Sequence, residues 1–568
     1  MKLRTFFSGL AVVAGVLLLV GLLGFWGLTA QNPQALLTRG GPSAPSAAQF
    51  VPRQSPLMVS LLTRPDRLWG LRQLRSAPQY RSQSRQTWQA FKSWVSATSG
   101  LDYDQDLRPW LGDEVTFAVT SADLDHVAAN GQQPGYLLVL TSRQGLQARE
   151  SAHLFWQQQV IAGEELIFEP IAGTTLIYNR LSNEAKGPTN AAHRRQFAST
   201  VVGDRYVLLA NDPQVVRQAI AAFQAPDISL AQDPLYQGLV KQLPPGRIAW
   251  SYSNLDKTLD WLGLNTHGQT WQTSQLAQKV FLSWRLTSEG ISADTALVAA
   301  PGSEFTPYLA ALNQPVAAMD WLPSESVFAA GSNNLNTLWQ TFSEGIGRYE
   351  LVQSAIQPMV TALSLGTNGD AHTVPELWTR GEGDYAVGLL PGQLPAWVFV
   401  AKSSTAITAE PERLDQQAQQ YGFGVAQVKL EDHWVTAWTR LSVASKGLGS
   451  LPQIKTDVVA VHTQIDAYDV FATSLEALQR VLERSQHRGT GDRQNFQAVL
   501  KTSEYPNAGL LYLDWPQITP LLEQQWPWVK VLEEISQPLT AHIRAIVLSP
   551  HGGDRSIRRG ELTFVLME

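Results

Sequence analysis

The sequence predicts an α+β fold in which one N-terminal transmembrane helix is followed by two homologous α+β domains with antiparallel sheets, an internal duplication. Three observations predict it. Residues 6–30 form an uncharged apolar run. Six sequence blocks recur in the same order in both halves. Within each half the hydrophobic period switches between strand and helix without regular alternation.

The first element is the anchor. Lys2 and Arg4, in the segment 1–5, precede the apolar run Phe6 to Ala30. As a helix that run spans about 37 Å, enough to cross a hydrocarbon core of about 30 Å. It is longer than the hydrophobic stretch of a cleavable signal peptide, which favours an uncleaved anchor. The positive-inside tendency keeps Lys2 and Arg4 in the cytoplasm and sends everything from Gln31 onward across, so the bilayer is the partner expected for residues 6–30. Ala11 with Gly15, and Gly21, Gly24 and Gly27, give the run small-residue stripes, and Trp26 sits where an interfacial aromatic belt would lie. Residues 31–46, rich in small residues and proline, read as a linker.

The duplication sets the remaining elements. FVPRQSPLMVSLL from Phe50 answers WLPSESVFAAGSN from Trp321. PWLGDEVTFAV from Pro109 answers LWTRGEGDYAVGLL from Leu377, and PGYLLVLTSR from Pro134 answers PAWVFVAKSS from Pro395. RYVLLANDPQVVRQAI from Arg205 lies opposite AYDVFATSLEALQRVL from Ala467 without a gap. Two shorter matches follow, at Tyr236 with Phe496 and at Ala249 with Gly509. The copies run over 47–301 and 317–568, joined by 302–316. YLLVLTS, ELIFEPIAGTTLIYN and RYVLLAN read as strands, the second as a hairpin turning at Ala172-Gly173. Asp212-Pro213 and Ser474 read as helix starts, because a short polar side chain caps the first free N–H groups and proline is tolerated in the first turn. Asn254 and Asp514 repeat the same strand-then-cap logic. Each copy closes on a hairpin, from Val280 in the first and Ile543 in the second.

The anchor, the FVP and PWLGDE blocks and the strand-cap-helix NDPQVVRQAI resemble the cyanobacterial membrane-anchored family of unknown function DUF3352, over essentially the whole chain. The resemblance implies a cyanobacterial host and a plasma or thylakoid membrane, with the bulk of the chain periplasmic or lumenal. It brings no activity and no functional residues.

Composition narrows the function. With 568 residues, 44% of them hydrophobic, and 19 Trp and 19 Phe, the chain is long enough for more than one core. Its net charge of −6 offers no overall basic surface for nucleic acid. The absence of cysteine excludes disulfides, thiolate metal sites and cysteine nucleophiles.

The motifs are weak. Asp102, Asp104 and Asp106 have the alternate spacing that opens a calcium loop, but Leu107 stands where that loop needs glycine, so a solvated acidic turn is expected. None of the ten histidines shows zinc-motif spacing; His542 and His551 are the nearest neighbours. Glu431-Asp432-His433 reads as a polar hairpin tip, and Lys446 to Ser450 as a flexible turn. No nucleotide or nucleophile-elbow signature appears, so no catalytic residue, cofactor or metal is expected. The one surface signal is basic: Arg64, Arg67, Arg72, Arg75, Arg81 and Arg85 stand against the lone acid Asp66, with Leu68, Trp69, Leu71 and Leu74 at helical spacing. This pattern points to contact with lipid phosphates or an acidic partner. The function expected is a non-enzymatic binding or assembly-assisting factor. Carriage of a lipid or other hydrophobic ligand stands second, and an envelope hydrolase with an unrecognised site third.

Overall fold

The computed structural model describes residues 44–566, apart from most of 65–101, from 181–195, 263–276, 335–381, 404–409, 445–452, 487–499 and 526–542, and from shorter breaks. The first half contributes β1 (Leu57–Leu61), β2 (Leu111–Ser121), β3 (Gly135–Ser142), β4 (Leu166–Ile171), β5 (Thr174–Asn179), β6 (Ala198–Val202), β7 (Tyr206–Ala210), β8 (Ala249–Asn254), β9 (Ala277–Leu286) and β10 (Gly290–Ala299). The second contributes β11 (Phe328–Asn334), β12 (Glu382–Leu390), β13 (Ala396–Lys402), β14 (Gly424–Leu430), β15 (His433–Ala444), β16 (Gln453–Ile465), β17 (Tyr468–Ala472), β18 (Leu510–Asp514), β19 (Ile543–Gly553) and β20 (Ile557–Leu566). All pairings are antiparallel. In space the first ten run β4-β5-β6-β7-β3-β2-β1-β8-β9-β10. The second ten run β14-β15-β16-β17-β13-β12-β11-β18-β19-β20, the same order.

Strand β10 pairs with β20, from Gly290 opposite Val565 to Val298 opposite Ile557. This pairing corrects the expected fold class. The halves are not two α+β domains with sheets of their own, because all twenty strands of the described residues form one antiparallel sheet. The physical reason is that an outer strand offers unpaired N–H and C=O groups, and here the outer strand of each half satisfies the other's. The register is self-complementary. Asp294 and Glu561 face each other at its centre, and counterpart residues pair symmetrically on either side, so a pseudo-two-fold axis runs through the sheet at that pair. Among the described residues no helix is long and apolar enough to cross a membrane; the anchor expected over 6–30 lies outside them.

Among the described residues the α-helices are α1 (Gly145–Ile161), α2 (Pro213–Gln224), α3 (Pro234–Gln242), α4 (Leu255–Trp261), α5 (Glu410–Gln420), α6 (Leu475–Gln486) and α7 (Trp515–Gln525). Helix α2 starts where the sequence places it: Asp212 accepts the Gln214 N–H at 2.7 Å, and Pro213 occupies the first turn. Ser474 likewise accepts the Ala477 N–H at 3.1 Å at the start of α6, and Asn254 and Asp514 cap α4 and α7. Helix α2 lays Val215, Val216, Ala219 and Ile220 on Leu137, Val139 and Leu208, while Tyr236 of α3 packs on Trp250 and Phe281. Helix α6 lays Ala477, Leu478, Val481 and Leu482 on Val398, Val400, Val461 and Val470. Both cores lie on the same face of the sheet, one on each side of the axis. The β4–β5 turn is the expected hairpin, with Ala172 and Gly173 at φ 50° and 80°, the two successive positive angles that a tight hairpin turn needs.

Candidate functional site

Of the basic residues singled out in the sequence, Arg64 is buried just beyond β1, whereas Arg67, Arg72, Arg75, Arg81 and Arg85 lie outside the described residues. The acidic triplet is turned inward on its own backbone. Asp102 accepts the N–H groups of Asp104 and Gln105 at 2.8 and 2.9 Å, and Asp106 accepts that of Asp102 at 2.7 Å. Asp104 meets Lys92 at 3.0 Å and Arg108 at 3.4 Å. The triplet is thus a capped turn. Asp432 is exposed in the tight turn between Leu430 and His433, a cross-strand pair, and Glu431 lies outside the described residues. His551 is on β19, 3.1 Å from the Ser549 hydroxyl; His542 and the segment 446–450 lie outside the described residues. Among the described residues no group of three or more histidines and carboxylates is placed to hold a metal ion.

Two polar clusters that the sequence reading did not find emerge from the topology. The first lies on the axis. Asp294 and Glu561 are directly opposed like charges, an arrangement that destabilises a sheet unless it is neutralised. Arg285 on β9 neutralises it, donating to Asp294 at 3.0 Å and lying 3.5 Å from Glu561, while Ser292 donates to Glu561. On the other face Trp284 stacks on Phe564, ring centres 5.8 Å apart. This cluster ties the halves together.

The second cluster lies near the outer end of the second copy. His462 on β16 is buried, its ring stacked on Phe471 at 5.2 Å and tilted against Trp438 at 5.5 Å. Asp415 of α5 reaches over it: one carboxylate oxygen accepts the Trp438 indole N–H at 2.6 Å and lies 2.8 Å from Nε2 of His462. Asp469 on β17, also buried, accepts the Ser403 hydroxyl at 2.9 Å, and Gln464 donates to Ser403 at 3.3 Å. Burial pushes the Asp469 carboxyl above its ordinary value, opposed by that hydrogen bond and by attraction to His462. The β16–β17 hairpin register sets His462 and Asp469 on one face, and Asp415, 47 residues before His462 in the sequence, is brought over that ring by the packing of α5. A signal for Asp469 was nevertheless present, because the ungapped repeat sets it opposite Val207.

The apolar surface is concentrated at the two ends of the sheet. Nine of the twelve large apolar side chains that are exposed among the described residues sit on the two outermost units. In the first copy these are Leu146, Leu154, Val160, Ile161 (86% exposed) and Phe168 (62%), on α1 and β4; in the second they are Tyr421, Val428, Trp434 (65%) and Leu441 (70%), on or beside β14 and β15. Singly exposed apolar residues are ordinary, but clusters of them mark interaction surfaces.

No curated protein and no solved structure matches the chain. A family profile described as a protein of unknown function, DUF3352, matches residues 10–566, nearly the whole length, and the chain belongs to that family.

Proposed function

We propose that this protein is a membrane-tethered, non-enzymatic binding factor that engages a protein partner through the apolar ends of its sheet. The observation that carries the reading is the clustering of exposed apolar side chains on the two outermost units, equivalent in the two copies. Burying a side chain such as Phe168 or Leu441 in an interface contributes about 1.5–3 kcal/mol, so a few anchors of this kind sustain a specific contact. In this reading residues 6–30 are the tether.

The test is affinity purification of the tagged full chain from gently solubilised membranes, with wild type compared against Ile161→Asp with Phe168→Ser, and against Leu441→Ser. A protein that co-purifies with wild type and is lost from either variant supports the reading. Co-purification of a lipid alone, or of the same proteins with every variant, overturns it. The basic run is assigned to the bilayer surface in the same reading. Replacing Arg72, Arg75 and Arg81 by Glu should weaken binding of the region beyond the anchor to anionic liposomes, and unchanged binding removes that role.

A further inference from the structure

The duplication supplies an internal control for the polar cluster of the second copy. Ala472 and Ala210 hold the same place in the two sheets, each paired on both sides at equivalent positions. Counting outward from them, His462 replaces Ser199, Gln464 replaces Val201, Asp469 replaces Val207 and Phe471 replaces Leu209. One strand further out, Thr436 replaces Ile177, so Trp434 stands where the first copy has Thr175. In the first copy Val201, Val207 and Leu209 belong to an apolar cluster with Tyr103 and Trp110. The same fold therefore forms with valine at two of these positions, and nothing in the strand order demands Gln464 and Asp469.

A carboxyl in such a place costs stability that the single hydrogen bond from Ser403 and attraction to His462 only offset, and buried groups of this kind cluster at binding sites. Side chains two apart on a strand share a face, and cross-strand neighbours lie about 5 Å apart. Trp434, Gln464 and Asp469 thus form one row across β15, β16 and β17, with Thr436, His462 and Phe471 in the next. The row begins with an exposed indole plane and continues with an amide, a carboxylate and a hydroxyl. It offers one flat apolar platform beside groups that both donate and accept hydrogen bonds. A pyranose ring has the complementary surface, with a C–H face for the indole and hydroxyls for the polar side chains. An anionic ligand would instead meet two carboxylates.

We propose that this face of the second copy is a saccharide site, with Trp434 as the stacking platform and Gln464, Asp469, Ser403 and His462 as hydrogen-bonding groups. Asp415 acts through His462, holding the ring by Nε2. The site goes beyond the protein-partner reading; it shares Trp434 with the apolar surface of that end, but the residues varied there are others, since Ile161 and Phe168 lie at the opposite end of the sheet and Leu441 is not part of the row.

The experiment uses the full chain, solubilised in a detergent without a sugar head group, titrated with chitotetraose, with maltotetraose and, as a cationic control, with choline. Binding is read by saturation-transfer NMR and calorimetry. The variants install the first copy's own residues, Trp434→Thr and the pair Gln464→Val with Asp469→Val, and thermal melting verifies that they fold. Saturable binding of one oligosaccharide by wild type, weakened roughly tenfold or more in both variants, is the expected result. Three results overturn the proposal: no oligosaccharide binding at millimolar concentration, binding of choline alone, or oligosaccharide binding unchanged in the variants.

Discussion

Asp469 shows what one side chain can contribute against its neighbours. Its counterpart Val207 is buried in an apolar cluster, whereas Asp469 is buried with a carboxyl whose proton affinity is raised chiefly by desolvation. A carboxyl with a raised folded value favours the folded state while it stays protonated, and that contribution is lost as pH rises through the raised value. Asp469→Asn removes the loss. The variant should therefore gain in Tm relative to wild type as pH is raised above the ordinary aspartate range of about 4. Melts in a pH series check this; a difference that does not vary with pH would refute it. Elsewhere burial of a carboxylate is satisfied in place. Glu114 accepts the backbone N–H groups of Ser46 and Ala47 at 2.9 and 2.7 Å and the Ser46 hydroxyl at 2.6 Å, fixing the short helical turn Ser46–Phe50 on β2. The contrast between these two acids was partly legible: the repeat sets Asp469 opposite Val207, but no sequence pattern shows that Asp415 lies over His462.

At the scale of elements, local chemistry decided most boundaries. The caps at Asp212 and Ser474 were readable because capping depends only on a short polar side chain and the N–H groups that follow it. Asp212→Ala and Ser474→Ala should each destabilise the fold by about 1 kcal/mol, measured by chemical denaturation, with little change in secondary-structure content. A negligible effect at both would mean that packing of α2 and α6, not capping, fixes where they begin. The β4–β5 and β14–β15 hairpins were equally visible, as short polar or glycine-containing turns between strand-like runs. Helix α1 was less so. Leu146, Leu154, Val160 and Ile161 are exposed, so its apolar residues do not mark the face it buries, which carries Ala148, Ser151, Phe155 and Trp156.

At the scale of the whole molecule the governing event is the pairing of β10 with β20. A Cβ at Gly290 would overlap the Phe564 carbonyl oxygen, so glycine is what lets the two strands approach at that end. The ladder, the Arg285–Asp294–Glu561 cluster and the Trp284–Phe564 stack join the two halves in one continuous sheet. Gly290→Val should lower Tm and separate calorimetric unfolding into two transitions, one for each half; a single transition at unchanged Tm would show that the seam carries little of the cooperativity.

The sequence by itself determined the family, the repeated order of strands and helix starts, and the turns and caps, because each rests on periodicity or on contacts between residues a few positions apart. It did not determine that the two copies share one sheet, nor that Asp415 closes over His462. The first depends on which strand edges meet and in what register, and an edge offers the same row of N–H and C=O groups whatever its side chains spell; the second depends on where α5 packs on the sheet. Only the tertiary structure, by satisfying β10 with β20 and packing α5 over His462, made those choices.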